Sequence, residues 1–204
     1  MSETTSTFPQ IPVFLKLGGR PVVLVGGGAV ATAKLAGLIE AGALVTVVAP
    51  EVAEEIARAR ATVVRREFRP GDLDGAWLVV AAAPRAVNRR VAEAAETRRV
   101  FLVAVDDPDS GSAYTGGVLR RGGLTIAIAT GGRAPALAGL LREGLGALLP
   151  EDVERWVTAA HDLSQRQRAA GVPMGARRPL LLRALNELYE GRAAEARAAA
   201  PGAP

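Results

Sequence analysis

The chain has 204 residues with no cysteine and a single histidine, His161. These counts exclude disulfides, iron–sulfur clusters, thiol nucleophiles and any metal site built on cysteines or on several histidines, so redox chemistry requires a bound cofactor. The net charge is +4, and no run of five like charges occurs, which argues against nucleic-acid binding.

The apolar runs are about as long as strands and far below the roughly 20 residues of a membrane helix. Residues 1–10 are polar, lack the features of a secretory signal and are interpreted as a loose leader. We therefore expect a cytoplasmic protein with no membrane partner.

The first half of the chain alternates short apolar runs with helical patterns. Strands are predicted at 22–25, 44–48, 62–64, 77–82 and 100–105, and helices at 29–41 and 85–97. Another helix is predicted to open at Pro50, with Glu51, Glu54 and Glu55 in its first turns. Strands that are apolar throughout and alternate with helices are typical of a parallel sheet covered on both faces. The prediction is an α/β, Rossmann-type doubly wound domain.

The pattern changes after residue 111. Two strands, 112–119 and 124–129, are joined at 120–123, a link too short for a crossover helix, so they are predicted to pair antiparallel. Helices are predicted at 134–148, 151–169 and 179–189. The predicted organisation is a dinucleotide-binding domain (1–111), a small α+β segment (112–150), a C-terminal helical domain (151–190) and a disordered tail (191–204).

A glycine motif follows the first strand. Residues 26–31 read Gly-Gly-Gly-Ala-Val-Ala and fit G-x-G-x-x-A between a strand and a helix. In such motifs the first glycine permits a tight turn, the second lets a pyrophosphate approach the backbone, and the small sixth residue lets the helix pack closely. We therefore predict a dinucleotide site at Gly26, Gly27, Gly28, Ala29, Val30 and Ala31.

Glu51 follows the second strand, near the position where an acidic residue binds the ribose of NAD. It either binds that ribose or stabilises the N-terminus of its own helix. No arginine lies at this turn to hold a 2′-phosphate, so NAD is favoured over NADP.

Two further segments are candidate sites. Asp106 follows the fifth strand, so it should lie at the carboxyl edge of the sheet. It is either a catalytic carboxylate, which acts as general base or orients the substrate, or part of an Asp-Asp-Pro turn whose side chains cap backbone amides. Thr130, Gly131 and Gly132 precede the 134–148 helix and either bind an anion or form a simple turn capped by Thr130. Arg120, Arg121 and Arg133 lie nearby in sequence and either contact a polycarboxylate or are solvated surface residues.

Taken in order, these motifs resemble the precorrin-2 dehydrogenase family, the N-terminal module of sirohaem synthases and its stand-alone relatives. The resemblance covers residues 10–150 densely and 151–190 loosely. It is carried by an ordered set of segments: 12–17, 20–28, Val30-Ala31, Lys34, 45–51, Val87-Asn88, 105–108, 130–135 and 140–143.

The resemblance implies NAD-dependent oxidation of precorrin-2 to sirohydrochlorin in sirohaem biosynthesis, with insertion of ferrous iron as a further activity in some members. It implies that Asp106 abstracts a proton, that no fixed metal ligands are needed and that the arginines meet the carboxylates of the tetrapyrrole. It also implies a homodimer in which 112–150 is the dimerisation segment.

The chain departs from the family at the loop after the fourth strand. A polar Thr-Asp stretch is replaced by Ala82-Ala83-Pro84-Arg85, which is shorter by about one residue. This loop flanks the expected cofactor cleft, and Ala82 is included among the predicted cofactor-binding residues. Two other functions stay open from the sequence: a non-enzymatic NAD-sensing module, and a chelatase without dehydrogenase activity.

Overall fold

A computed structural model describes residues 11–105, 107, 110–131 and 134–199, with side chains as far as Glu190. Within these residues the chain forms two compact units. The first contains the chain up to Thr115 together with Ala129–Ala134, and the second contains Gly116–Ile128 and the chain from Pro135 onward. The predicted leader, residues 1–10, lies outside the described residues.

The described part of the first unit contains a five-stranded parallel sheet. Its strands are β1 (Pro21–Val25), β2 (Leu44–Ala49), β3 (Thr62–Arg65), β4 (Leu78–Ala81) and β5 (Phe101–Ala104). The strand order is β3-β2-β1-β4-β5, and all neighbours are parallel. The order reverses at β1, so a crevice forms beyond the carboxyl ends of β1 and β4. The doubly wound sheet predicted from the sequence is confirmed.

Helices cover both faces of this sheet because successive residues of a strand point to opposite sides. Val22 and Leu24 of β1 pack on the side of α1 (Ala29–Glu40) and of α2 (Glu54–Arg58). Val23 and Val25 pack on the side of α3 (Arg85–Arg98) and of a 3-10 turn at Pro70–Leu73. All four side chains are at most 4% exposed, which explains why the strands are apolar throughout.

The start of α2 differs from the prediction. The helix begins at Glu54 and has five residues, so Pro50 does not open it and Glu51 is not in its first turn. The Ala53 N–H donates to the Gly27 carbonyl at 2.8 Å, and the Ala53 backbone is extended (φ −58°, ψ 155°). Contact with the glycine loop therefore holds residues 50–53 outside the helix.

The second unit opens with the antiparallel hairpin of β6 (Gly117–Arg121) and β7 (Leu124–Ile128). The pairing is as predicted, but the first strand begins five residues later. Ser112 and Ala113 instead donate their N–H groups to the Leu102 carbonyl in the first unit, at 3.0 and 2.9 Å. Gly122 and Gly123 both have positive φ and make the turn alone. Arg120 and Arg121 therefore lie in β6 and not in the turn.

Three helices complete the second unit as described: α4 (Pro135–Leu148), α5 (Val153–Ala169) and α6 (Met174–Ala199). The sequence interpretation ended the last helix at residue 189, but α6 begins earlier and continues for ten more residues. Pro179 lies near its start, where it removes one backbone hydrogen bond, and the Ala/Arg/Glu-rich residues after 190 favour helix. Among the described helices, none is both long enough and apolar enough to cross a membrane.

Candidate cofactor and substrate site

A cavity of about 550 Å³ opens at the carboxyl edge of the sheet, within the usual size of a small-molecule site. Its walls are the glycine loop after β1, the connection after β2, Glu67 and Phe68 after β3, and the loop after β4. The structure thus brings several predicted cofactor residues to one cavity: Gly26, Gly27, Gly28, Glu51 and Ala82. We call it the larger cavity.

Close contacts with neighbouring backbone require glycine at positions 26 and 27. Gly26 has φ +130°, and a β-carbon there would stand 2.2 Å from the Ala82 carbonyl oxygen. A β-carbon at Gly27 would stand 1.9 Å from the Glu51 carbonyl oxygen. The glycine loop is therefore held between the β2 and β4 connections. The motif assigned no role to Gly27 itself, and nothing in the local sequence shows this contact.

Gly28 is the N-cap of α1, and a β-carbon there would meet nothing within 4 Å. The first turn of α1 carries no acidic side chain, so its exposed N–H groups and positive dipole end are free to attract an anion. Ala29 and Val30 are exposed, whereas Ala31 is fully buried beside β1. The open cradle in front of Gly28, with Ala31 packed behind it, fits the pyrophosphate of a dinucleotide.

Glu51 is exposed in the connection between β2 and α2 and lines the larger cavity. The acidic residues in the first turn of α2 are Glu54 and Glu55. Glu51 therefore precedes the helix and is not part of its first turn. Its place after β2 fits the side of the crevice where adenosine ribose binds in such sheets.

Charged side chains fix the wall formed by Glu67 and Phe68. The Arg66 guanidinium donates to both carboxylate oxygens of Asp72, at 2.8 and 2.5 Å, and to the Glu67 carbonyl at 2.9 Å. Arg90 donates to the Phe68 carbonyl at 3.3 Å. Hydrogen bonds from Arg66, supported by the Arg69 N–H, lower the pKa of Asp72 although burial opposes this. No motif in the sequence pointed to this pair.

A second, polar cavity of about 360 Å³ lies at the same edge of the first unit, which we call the smaller cavity. It is lined by Ala83, Arg85, Asn88, Val105 and Asp107, and Ala83 also lines the larger cavity. Asp106, the predicted catalytic residue, lies outside the described residues. Both of its chain neighbours, Val105 and Asp107, line the smaller cavity.

The predicted substrate residues are divided between the units. Thr130 Oγ1 accepts a hydrogen bond from the Ala134 N–H at 3.1 Å, so Thr130 has the local cap that was one of its two interpretations. Gly131 has φ +63° in the same turn, and Gly132 and Arg133 lie outside the described residues.

Arg120 and Arg121 belong to the second unit. Arg121 donates to the Leu149 carbonyl at 2.7 Å, whereas Arg120 is exposed on β6. Across the described residues, no group of three or more His, Cys, Asp or Glu side chains is arranged to hold a metal ion.

Comparison with known proteins identifies both parts of the chain. A family model described as "Putative NAD(P)-binding" matches residues 13–117, more than half of the chain, and one described as "Sirohaem biosynthesis protein central" matches residues 121–148. Siroheme synthase 3 of Aeromonas hydrophila is 44% identical in an alignment of 173 positions that covers 82% of this chain and 37% of that protein. The siroheme synthase of Citrobacter koseri is 40% identical in an alignment of 174 positions that covers 83% of this chain and 38% of that protein.

The chain therefore spans less than half the length of the curated relatives it matches. A solved structure of SirC, a precorrin-2 dehydrogenase, superposes with a TM-score of 0.68 and 27% identity, covering 85% of this chain and 88% of that one. Similarity to SirC thus extends over nearly all of both chains. The chain belongs to the NAD(P)-binding family of sirohaem biosynthesis proteins that contains the siroheme synthases and SirC.

Proposed function

We propose that the protein catalyses the NAD-dependent oxidation of precorrin-2 to sirohydrochlorin in sirohaem biosynthesis. One observation carries the proposal: a cavity suited to a dinucleotide shares Ala83 with a polar cavity whose walls include both neighbours of Asp106. A redox cofactor and a carboxylate would thus meet at one edge of the sheet. The similarity to SirC over 88% of that chain supports the same reaction.

In this proposal the glycine loop and the N-terminus of α1 bind the pyrophosphate at Gly26 and Gly28, and the buried Ala31 lets α1 pack closely on β1 behind this cradle. Glu51 binds the adenosine ribose, and its carboxylate disfavours the 2′-phosphate of NADP. Ala82 supports the loop, because its carbonyl lies against Gly26. When bound, NAD accepts a hydride from the substrate.

Asp106 is proposed to take the proton that the substrate loses in the same oxidation. A positioned general base contributes roughly 10²–10⁴-fold to a rate, and holding both reactants in the correct orientation contributes further. A chain with one histidine and no cysteine is sufficient for this reaction, because one carboxylate and a bound cofactor provide the chemistry.

The tetrapyrrole substrate carries many carboxylates, which need cationic and N–H donors. We assign this role to Arg120, Arg121, Thr130, Gly131, Gly132 and Arg133. Arg120 is exposed and free of hydrogen bonds within the described residues. One guanidinium nitrogen of Arg121 donates a hydrogen bond to the Leu149 carbonyl. The other N–H groups of this guanidinium are available to a carboxylate.

We also propose that the active form is a homodimer, supported by the apolar outer face of α4. The small residues Ala138 and Gly146 turn toward the hairpin: the Ala138 carbonyl approaches Gly117, and Gly146 packs on Leu119. Five leucines of α4 are nevertheless at least 37% exposed: Leu137, Leu140, Leu141, Leu145 and Leu148. An exposed apolar face of this kind is typical of a protein–protein contact.

The test is to incubate the full chain with NAD and precorrin-2 under anaerobic conditions and follow NADH absorbance and sirohydrochlorin. We expect the two products in equal amounts. Binding of NAD without NADH formation would identify a sensing module and overturn the proposal. A parallel reaction with sirohydrochlorin and ferrous iron, without NAD, measures whether iron insertion accompanies the oxidation.

A further inference from the structure

The smaller cavity contains a buried amide that the proposed reaction does not yet use. Asn88 is only 5% exposed, although it lies on the surface of α3 that faces the cavity. Its Oδ1 accepts a hydrogen bond from the Ala83 N–H at 3.1 Å, which determines which end of the amide is the oxygen. The orientation of the side chain is therefore fixed.

The amide nitrogen of Asn88 has no acceptor among the described residues. It is not enclosed either, unlike Gln167 Nε2, which is buried without a partner. Asn88 Nδ2 thus presents its N–H groups to the smaller cavity. Because this donor has no protein acceptor, a ligand oxygen that accepts its hydrogen bond gains affinity.

The Asp107 carboxylate supplies a hydrogen-bond acceptor in the same cavity as the Asn88 donor. Its Oδ2 accepts from Ser110 Oγ at 2.8 Å, and its Oδ1 has no partner among the described residues. The cavity therefore offers one fixed donor and one acceptor. A primary carboxamide matches both, because its oxygen accepts and its nitrogen donates. A carboxylate matches less well, because the Asp107 charge repels it and Arg85, which also lines the cavity, is exposed, so that solvent and salt screen its charge.

The order of the strands places this cavity on the nicotinamide side of the crevice. Glu51 follows β2, on the side where adenosine binds, and the pyrophosphate lies at β1. The other half of a dinucleotide then extends past β1 toward β4 and β5. Asn88 follows β4 and Asp107 follows β5, and Ala83 is the wall shared with the larger cavity.

We propose that Asn88 and Asp107 bind the carboxamide of the nicotinamide ring: Asn88 Nδ2 donates to the carboxamide oxygen, and Asp107 accepts from its nitrogen. This assignment rests on the proposed use of a nicotinamide cofactor. It would hold the ring beside Val105 and Asp107, the two chain neighbours of the proposed base Asp106.

The variant Asn88→Asp removes only the hydrogen-bond donor, the Nδ2 amide group. It keeps an oxygen to accept from the Ala83 N–H and replaces the donating nitrogen with a second oxygen. Calorimetric titration of the full chain should show NAD⁺ binding weakened about tenfold, equivalent to about 1.4 kcal/mol. Binding of ADP-ribose, which lacks the nicotinamide, should change less than about twofold. Asn186→Asp, at an exposed position of α6, is the matched control and should change neither.

Asp107 is tested independently with a cofactor analogue. The acetylpyridine analogue of NAD keeps the carbonyl oxygen but lacks the amide N–H groups. The unmodified protein should bind this analogue more weakly than NAD⁺, and Asp107→Ala should abolish that difference. The variant and the analogue remove the same hydrogen bond, so their effects should not add.

Three results overturn the assignment. Equal losses of NAD⁺ and ADP-ribose binding in Asn88→Asp mean that the variant acts through the Ala83 loop. Unchanged NAD⁺ binding with a higher KM for precorrin-2 means that the cavity takes a substrate carboxylate. Unmodified protein that binds neither NAD⁺ nor ADP-ribose contradicts the proposed function itself, which distinguishes that failure from the first two.

Discussion

The Glu51 carbonyl lies so close to Gly27 that a β-carbon at position 27 would stand 1.9 Å from its oxygen, well inside contact distance. A hydrogen bond from the Ala53 N–H to the Gly27 carbonyl, at 2.8 Å, joins the same two segments. Gly27→Ala must therefore displace backbone, and we expect a loss of about 1–3 kcal/mol of unfolding free energy. Thermal and urea unfolding measure it.

Gly28→Ala is the matched control for that variant. Nothing lies within 4 Å of a β-carbon at position 28, so the free energy of unfolding should change by less than about 0.5 kcal/mol. The methyl group instead enters the space proposed for the pyrophosphate, and NAD affinity should fall about tenfold. Equal stability of the two variants would contradict the role given to the Gly27 contact.

The contrast between these glycines explains what the sequence could and could not predict. The strands, the parallel sheet and the glycine motif were predictable because runs such as residues 22–25 and 44–48 carry the signal locally. The start of α2 was not, because it depends on a hydrogen bond between Ala53 and a loop 26 residues earlier in the chain.

The smaller cavity likewise could not be predicted from the sequence. Asn88 was noticed only as part of a family motif, since an asparagine in a helix gives no sign that it is buried. Its surroundings come from the ends of β4 and β5, which the fold brings together. The leucine face of α4 was visible as a periodic pattern, but a periodic pattern does not tell whether the face packs within one chain or between two.

Glu51 should set the preference for NAD over NADP. Its carboxylate lines the larger cavity after β2 and would repel a 2′-phosphate, so we expect NAD to bind at least about tenfold more tightly than NADP, about 1.4 kcal/mol. Glu51→Gln should reduce this ratio by weakening NAD and strengthening NADP. Titration of both cofactors measures it. Glu55→Gln, in the first turn of α2, should leave the ratio unchanged, and equal binding of both cofactors to the unmodified protein contradicts the assignment.

Asp106→Asn should slow the oxidation without affecting cofactor binding. Loss of a general base lowers kcat by roughly 10²–10⁴-fold, while the glycine loop and Glu51 stay intact and the NAD dissociation constant stays within about twofold. Single-turnover formation of NADH and a separate NAD titration distinguish the two quantities. Asp162→Asn, at an exposed position of α5, is the matched control. An undiminished rate in Asp106→Asn shows that the base lies elsewhere.

Asp72 should make stability dependent on acid pH. Hydrogen bonds from Arg66 lower its pKa in the folded protein, so the folded state binds fewer protons and its stability rises with pH. The stabilisation should be complete above the unfolded aspartate value of about 3.9 and be lost as the pH falls through the lowered folded value. Urea unfolding across this range should show Asp72→Asn less stable near neutrality, with the difference shrinking in acid. A difference that is constant with pH, or that Asp162→Asn reproduces, contradicts this origin.

The leucine face of α4 should control assembly. Leu140 is 66% exposed, and burying a leucine against a second copy contributes about 1.5–3 kcal/mol. Leu140→Glu replaces that gain with the cost of burying a charge, so we expect light scattering to show dimer in the unmodified protein and mainly monomer in the variant. Glu143→Gln, on the same helix with a side chain 65% exposed, should remain dimeric. Because Leu140 is exposed on α4, the variant should keep the circular dichroism spectrum of the folded chain. A monomeric unmodified protein would contradict the proposed homodimer.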